Sequence, residues 1–207
     1  VWKVMHKDLT SNYNLDLATT DEQRHFPSAS GGSDAHGGLH TPDGAGVTTS
    51  TFSFGEGTSS NDNVNEDGNA FIAYCFSSIA GYSSFGTYEG DGSSIRTIGG
   101  CGFRPAFLMV KNADSNDGWF IFDSTRDPTN PATHRLYADS SAAEGTGTNW
   151  VDLIANENNG FKFVTFDAGL NTNAETYIYA AFADNREYAY WLDQSGNNND
   201  FTSHNLT

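Results

Sequence analysis

Two apolar runs, Pro105-Ala106-Phe107-Leu108-Met109-Val110 and Trp119-Phe120-Ile121-Phe122, constrain the fold more than any other feature of this chain. A run that is apolar at successive positions is apolar on both faces of an extended strand, so both faces must be covered. Between the runs, Asn112-Ala113-Asp114-Ser115-Asn116-Asp117-Gly118 is dense in residues that tolerate turn geometry and cannot extend a buried strand. The stretch from Gly102 to Asp123 therefore predicts a β-hairpin at the centre of a sheet.

The chain also resembles itself. Val1-Trp2-Lys3-Val4-Met5-His6 aligns with Gly118-Trp119-Phe120-Ile121-Phe122-Asp123, and Leu15-Asp16-Leu17-Ala18-Thr19-Thr20 with Leu136-Tyr137-Ala138-Asp139-Ser140-Ser141. Thr51-Phe52-Ser53-Phe54 aligns with Gly160-Phe161-Lys162-Phe163. Without a gap, Val64-Asn65-Glu66-Asp67-Gly68-Asn69-Ala70-Phe71-Ile72-Ala73-Tyr74-Cys75-Phe76 aligns with Leu170-Asn171-Thr172-Asn173-Ala174-Glu175-Thr176-Tyr177-Ile178-Tyr179-Ala180-Ala181-Phe182. Two copies of one unit are expected, each of roughly a hundred residues. Residues 1–80 form the first, 81–186 the second, and 187–207 a turn-rich tail leading to a further domain. The first copy has no counterpart of the hairpin strand at Pro105, so its N-terminal strand is expected to be missing and the chain to be a piece of a longer one.

Gly, Asn, Ser, Thr and Asp are frequent and helical periodicity is short-lived, which predicts an all-β chain of two tandem repeated antiparallel β-sandwich units. The one helical turn expected is Ser140 to Glu144, capped by Ser140 or Ser141. Twenty-six acidic against ten basic residues give a net charge of -16, which repels nucleic acid and anionic lipid. No apolar run is long enough for membrane insertion as a helix. Cys75 falls in a buried-strand pattern and Cys101 at the mouth of the hairpin; two cysteines make no disulfide framework, and one bridge or two free thiols both stay open.

The first unit carries a Gly- and His-rich insertion, residues 24–46, in which Asp34, His36 and His40 form a candidate contact loop. Gly37-Gly38 breaks the helix that would place both histidines on one face, so the loop reads as a surface segment rather than a metal site. No cofactor is expected. Calcium is the cation that the acidic loops suggest, because Asn63-Val64-Asn65-Glu66-Asp67-Gly68 opens like a calcium loop, yet Tyr74 stands where its bidentate Glu belongs. Gly81-Tyr82-Ser83-Ser84-Phe85-Gly86 misses nucleophile-elbow spacing, and no phosphate loop is present, so no enzyme activity is expected.

Ile79-Ala80-Gly81-Tyr82-Ser83-Ser84-Phe85-Gly86-Thr87-Tyr88-Glu89-Gly90-Asp91-Gly92 and the hairpin strand after it, with Trp119 to Asp127, Asp139 to Glu144, Tyr177 to Asp184 and Leu192 to Thr202, run in one order along nearly the whole chain. In that order they resemble the repeated β-rich domains of tail-fibre and virion structural proteins of tailed bacteriophages, marine phages and cyanophages above all. The resemblance implies a virion location, homotrimers or fibres, and neighbouring lectin-like sandwiches; it supplies no catalytic or ligand residues. The expected function is a non-enzymatic spacer and adhesive module of a tail fibre, with a glycan-binding module and a subunit of an extracellular self-assembling filament as alternatives. Tyr82, Phe85 and Tyr88 join Asp34, His36 and His40 as candidate contacts to a partner chain or host-surface glycan, although packing between units is the plainer reading of the three rings.

Overall fold

The computed structural model describes residues 2–10, 13–25, 51–52, 68–154 and 160–184. Within them the chain is all-β. Strands β1 (Lys3–Val4), β2 (Tyr13–Asp16) and β3 (Arg24–His25) form a small antiparallel sheet in the order β1-β2-β3. Strands β4 (Ser83–Glu89), β5 (Arg96–Ile98), β6 (Pro105–Asn112), β7 (Trp119–Asp123), β8 (Ala132–Tyr137), β9 (Gly145–Ile154), β10 (Gly160–Phe163) and β11 (Thr176–Ala183) form an eight-stranded sheet in the order β4-β11-β6-β7-β8-β9-β10-β5.

The hairpin lies where the sequence predicts. β6 pairs antiparallel with β7, with Lys111 opposite Trp119 and Phe107 opposite Asp123. Asn112 Oδ1 accepts the Asp114 amide at 3.0 Å, the local bond through which Asn starts a turn. Strand alternation then explains why both faces are apolar. Leu108, Val110, Phe120, Phe122, Tyr177, Tyr179 and Ala181 enter the main core. On the opposite face, Trp119, Ile178 and Met109 pack with Leu15 of the small sheet.

Bonds between the small sheet and the hairpin fix this second layer. Trp119 Nε1 donates to the Asp16 carbonyl at 2.9 Å, and the Gln23 amide donates to the Ala113 carbonyl at 2.7 Å. Lys111 is fully buried beneath it, donating to the carbonyls of Asn112 at 2.5 Å and of Thr20 and Ser115 at 3.3 Å each. Burial lowers its pKa to about 8, against the opposing pull of Asp117, Asp139, Asp21 and Glu22.

The eight-stranded sheet bends until its two edges meet. β4 and β5 lie at opposite ends of the strand order yet are joined by residues 90–95 alone. Arg96 reaches from β5 to the Glu89 carbonyl of β4 at 3.2 Å, and Tyr88 of β4 meets Phe163 of β10 with ring centroids 5.8 Å apart. One core is therefore enclosed on all sides, in a near-barrel. Gly90 is required at the seam, because a Cβ there would run into the Thr172 carbonyl.

The small sheet repeats the register of part of the large one. Val4 faces Leu15 and Lys3 faces Asp16 across β1 and β2; Ile121 faces Leu136 and Phe120 faces Tyr137 across β7 and β8.

Two sequence expectations are corrected. Residues 140–144 are not helical; Ser140 Oγ instead accepts the Ala142 amide at 3.0 Å in a local turn. The helical turn is α1 (Ala168–Asn171), where Asp167 caps the Gly169 amide and Leu170 and Asn171 are buried. The second correction is at residues 70–76, the segment that the sequence aligns with β11. They belong to no strand, and Cys75, expected inside a buried strand, is exposed.

Candidate functional site

Every residue from Gly68 to Tyr82 is exposed. Consecutive large apolar side chains stand open together: Ile72 is 75% exposed, Tyr74 66% and Phe76 66%. An extended segment lying on a core would bury alternate residues. Here both parities are open, so neither face is covered. Among the described residues none exchanges a backbone hydrogen bond with Phe71 to Phe76.

Ring contacts hold this segment in place. Tyr74 meets Trp2, itself exposed, at 5.7 Å between centroids. Phe76 meets Phe85 at 5.9 Å and, edge-on, Phe182 at 6.0 Å. Past Phe76 the chain is tied to β4: Ser83 Oγ donates to the Ser77 carbonyl at 2.8 Å, and the Ile79 amide donates to the Ser83 carbonyl at 2.9 Å. The result is an aromatic surface running from Trp2 through Tyr74 and Phe76 to Phe182 and Phe107. Contiguous apolar surface of this kind marks an interaction site more often than chance exposure does.

The sequence candidates separate. Asp34, His36 and His40 lie outside the described residues. Tyr82 is exposed and edge-on to Phe182 at 6.1 Å, and Phe85 is half-buried between Phe76 and Phe182, so both border the aromatic surface. Tyr88 does not. It is buried, stacked on Tyr177 at 4.9 Å between centroids, and its hydroxyl donates to the Leu170 carbonyl at 2.6 Å. Burial, then the neighbouring Tyr177 hydroxyl, pushes its pKa well above the ordinary tyrosine value. Its ring serves the core and is closed to a partner.

Polar clusters elsewhere are engaged in holding turns. Asn112 Nδ2 donates to Glu175 at 2.6 Å and to Asp117 at 3.0 Å, while Glu175 also accepts from Ser115 at 2.6 Å. Asp127 is buried; that alone would raise its pKa, but the amides of Thr133, His134 and Thr129 hold it down at about 2. Arg135 lies 4.6 Å from the ring centroids of both Phe120 and Trp150 and pairs with Asp167 at 2.7 Å. Among the described residues, no group of three or more His, Cys, Asp or Glu side chains is placed to hold a metal ion, and both cysteines are free thiols.

Sequence reasoning missed Trp2, Phe71, Ile72, Tyr74 and Phe76 as surface residues, since their aligned copies are in strands.

No curated protein matches this chain, and no solved structure matches it. A family model described as a domain of unknown function, DUF7483, matches residues 1–186, and the chain belongs to that family.

Proposed function

We propose that this chain is a non-enzymatic structural and adhesive module of a fibre, of the virion tail-fibre kind, made of two antiparallel β units of one plan, the expected sandwich being closed into a near-barrel in the second. The shared register of β1–β2 and β7–β8 supports the two-unit reading, because aligned residues face aligned residues in both pairs. The strongly acidic surface suits a module that stays apart from nucleic acid and anionic membranes. The observation that carries the functional reading is the exposed aromatic run Phe71 to Phe76 with Trp2, a surface fit for a neighbouring chain in an assembly.

The test is the mass of the intact chain in solution by light scattering across a range of concentrations. A trimer or a growing filament is expected. A monodisperse monomer at every concentration overturns the fibre reading.

A further inference from the structure

We infer that the Lys111 amine is a proton-linked joint between the small sheet and the hairpin, so that residues 13–25 sit more firmly on the β6–β7 turn in alkaline than in neutral solution. The amine lies at the contact itself. Two of the carbonyls it donates to, Asn112 and Ser115, belong to the hairpin, and the third, Thr20, comes from the facing segment. The same contact is closed by the Gln23 amide on the Ala113 carbonyl at 2.7 Å, the Glu22 amide on Asn116 Oδ1 at 3.1 Å and Gln23 Nε2 on Asp114 Oδ1 at 2.8 Å. Lifting residues 20–23 away breaks these bonds and opens the amine to water.

Carbonyls satisfy the donors of Lys111, yet its charge has no close partner. The side chain is fully buried and, among the described residues, forms no ion pair. An ammonium so placed is disfavoured against the neutral amine unless carboxylates compensate. Those that act on it are Asp21 and Glu22 from the facing segment, Asp117 from the turn and Asp139 from the segment after β8; burial outweighs their pull and leaves its pKa at about 8. Asp21 is itself paired with Arg24 at 2.8 Å, Asp114 is held by Gln23 and the Thr176 amide, and Glu175, just before β11, by Asn112 and Ser115. Once residues 20–23 lift, the amine returns toward the ordinary lysine value of about 10.4 and takes up a proton. Opening therefore consumes a proton between about pH 8 and pH 10, and docking strengthens as pH rises through that window. Below about pH 8 the amine is charged in both states and the dependence ends.

The experiment follows amide exchange of the full chain at Glu22 and Gln23, whose amides bond to the hairpin, from about pH 7 to about pH 10. Each rate is divided by that of an unstructured peptide of the same sequence, and the amides of Phe161 and Phe163, in a strand paired on both edges, report the core. Carbon-13 resonances of the lysine Cε atoms give the Lys111 titration in the same unmodified chain, with Lys3, Lys7 and Lys162 as internal references. Lys111 is expected to titrate well below the other lysines. Protection at Glu22 and Gln23 should rise at least about tenfold from pH 8 to pH 10 while staying below that of Phe161 and Phe163. In Lys111→Met the rise should disappear. A Lys111 signal that titrates with the other lysines, protection that ignores pH, or an equal rise in Lys111→Met overturns the inference. So does protection at Gln23 equal to that at Phe161, because the contact would then open only when the whole chain unfolds.

Discussion

Phe71-Ile72-Ala73-Tyr74-Cys75-Phe76 and Tyr177-Ile178-Tyr179-Ala180-Ala181-Phe182 are close in sequence and opposite in fate. In the second, Tyr177 is fully buried and Ile178 is 4% exposed, within a strand paired on both edges. In the first, Ile72 is 75% exposed and the segment pairs with nothing described. Local β-preference is the same in both. What differs is the presence of β4 and β6 alongside, and burying a side chain of this size stabilises by about 1.5–3 kcal/mol only when such neighbours exist. A strand is thus made by its partners as much as by its own residues.

The sharpest way to break this contrast is truncation at aligned positions. Tyr177→Ala should cost about 3–5 kcal/mol, since it empties a fully buried ring site. Phe71→Ala should change stability by less than about 0.5 kcal/mol, as exposed substitutions do. Urea midpoints measure both; a large loss at Phe71 would mean that residues 71–76 are packed after all. The tryptophans offer a second pair. Trp119→Ala removes a buried ring and its bond to the Asp16 carbonyl, so a loss of about 3 kcal/mol and faster proteolysis within residues 2–25 are expected. Trp2→Ala should leave the urea midpoint in place.

Lys111 sharpens the comparison from the side of β6, the strand that pairs with β11. Its folded pKa, about 8, lies below the ordinary lysine value, so between about pH 8 and pH 10 the unfolded chain binds the extra proton. Stability should therefore rise with pH across that window, by roughly 2–3 kcal/mol. Above about pH 10 the sign reverses, because burial holds the Tyr177 hydroxyl protonated up to about 12 while the unfolded tyrosine has released its proton. Thermal midpoints from pH 7 to 12 should pass through a maximum near 10, and Lys111→Met should flatten the rising limb. A rise of equal size in that variant would assign it to another group. The smallest effect is at Tyr88. Losing its bond to the Leu170 carbonyl in Tyr88→Phe should cost about 1 kcal/mol without altering oligomer mass. A change in mass would return Tyr88 to the contact surface.

The hairpin was legible because two-sided apolar runs and an Asn/Asp/Gly turn carry the same message at every level. The β-class was legible for the same reason. Residues 70–76 were misread because periodicity reports what a segment is able to do and is silent on whether neighbours exist. Lys111 carried no signal in the sequence, yet its amine is satisfied by three carbonyls, two of them beyond the adjacent residue. Tyr88 was expected as a contact with Tyr82 and Phe85; strand alternation turns its ring inward while Glu89 faces solvent. Helix α1 spans only four residues, too few to leave a periodic trace. The surface itself was half legible, in Tyr82 and Phe85.

The most direct test of the central contrast is amide hydrogen exchange of the isolated chain at low concentration, comparing residues 71–76 with 177–182. The account predicts exchange near the unstructured rate for the first and protection close to the global unfolding free energy for the second. Matching protection in both segments, at a concentration where the chain is monomeric, would show that residues 71–76 are already paired and would contradict it.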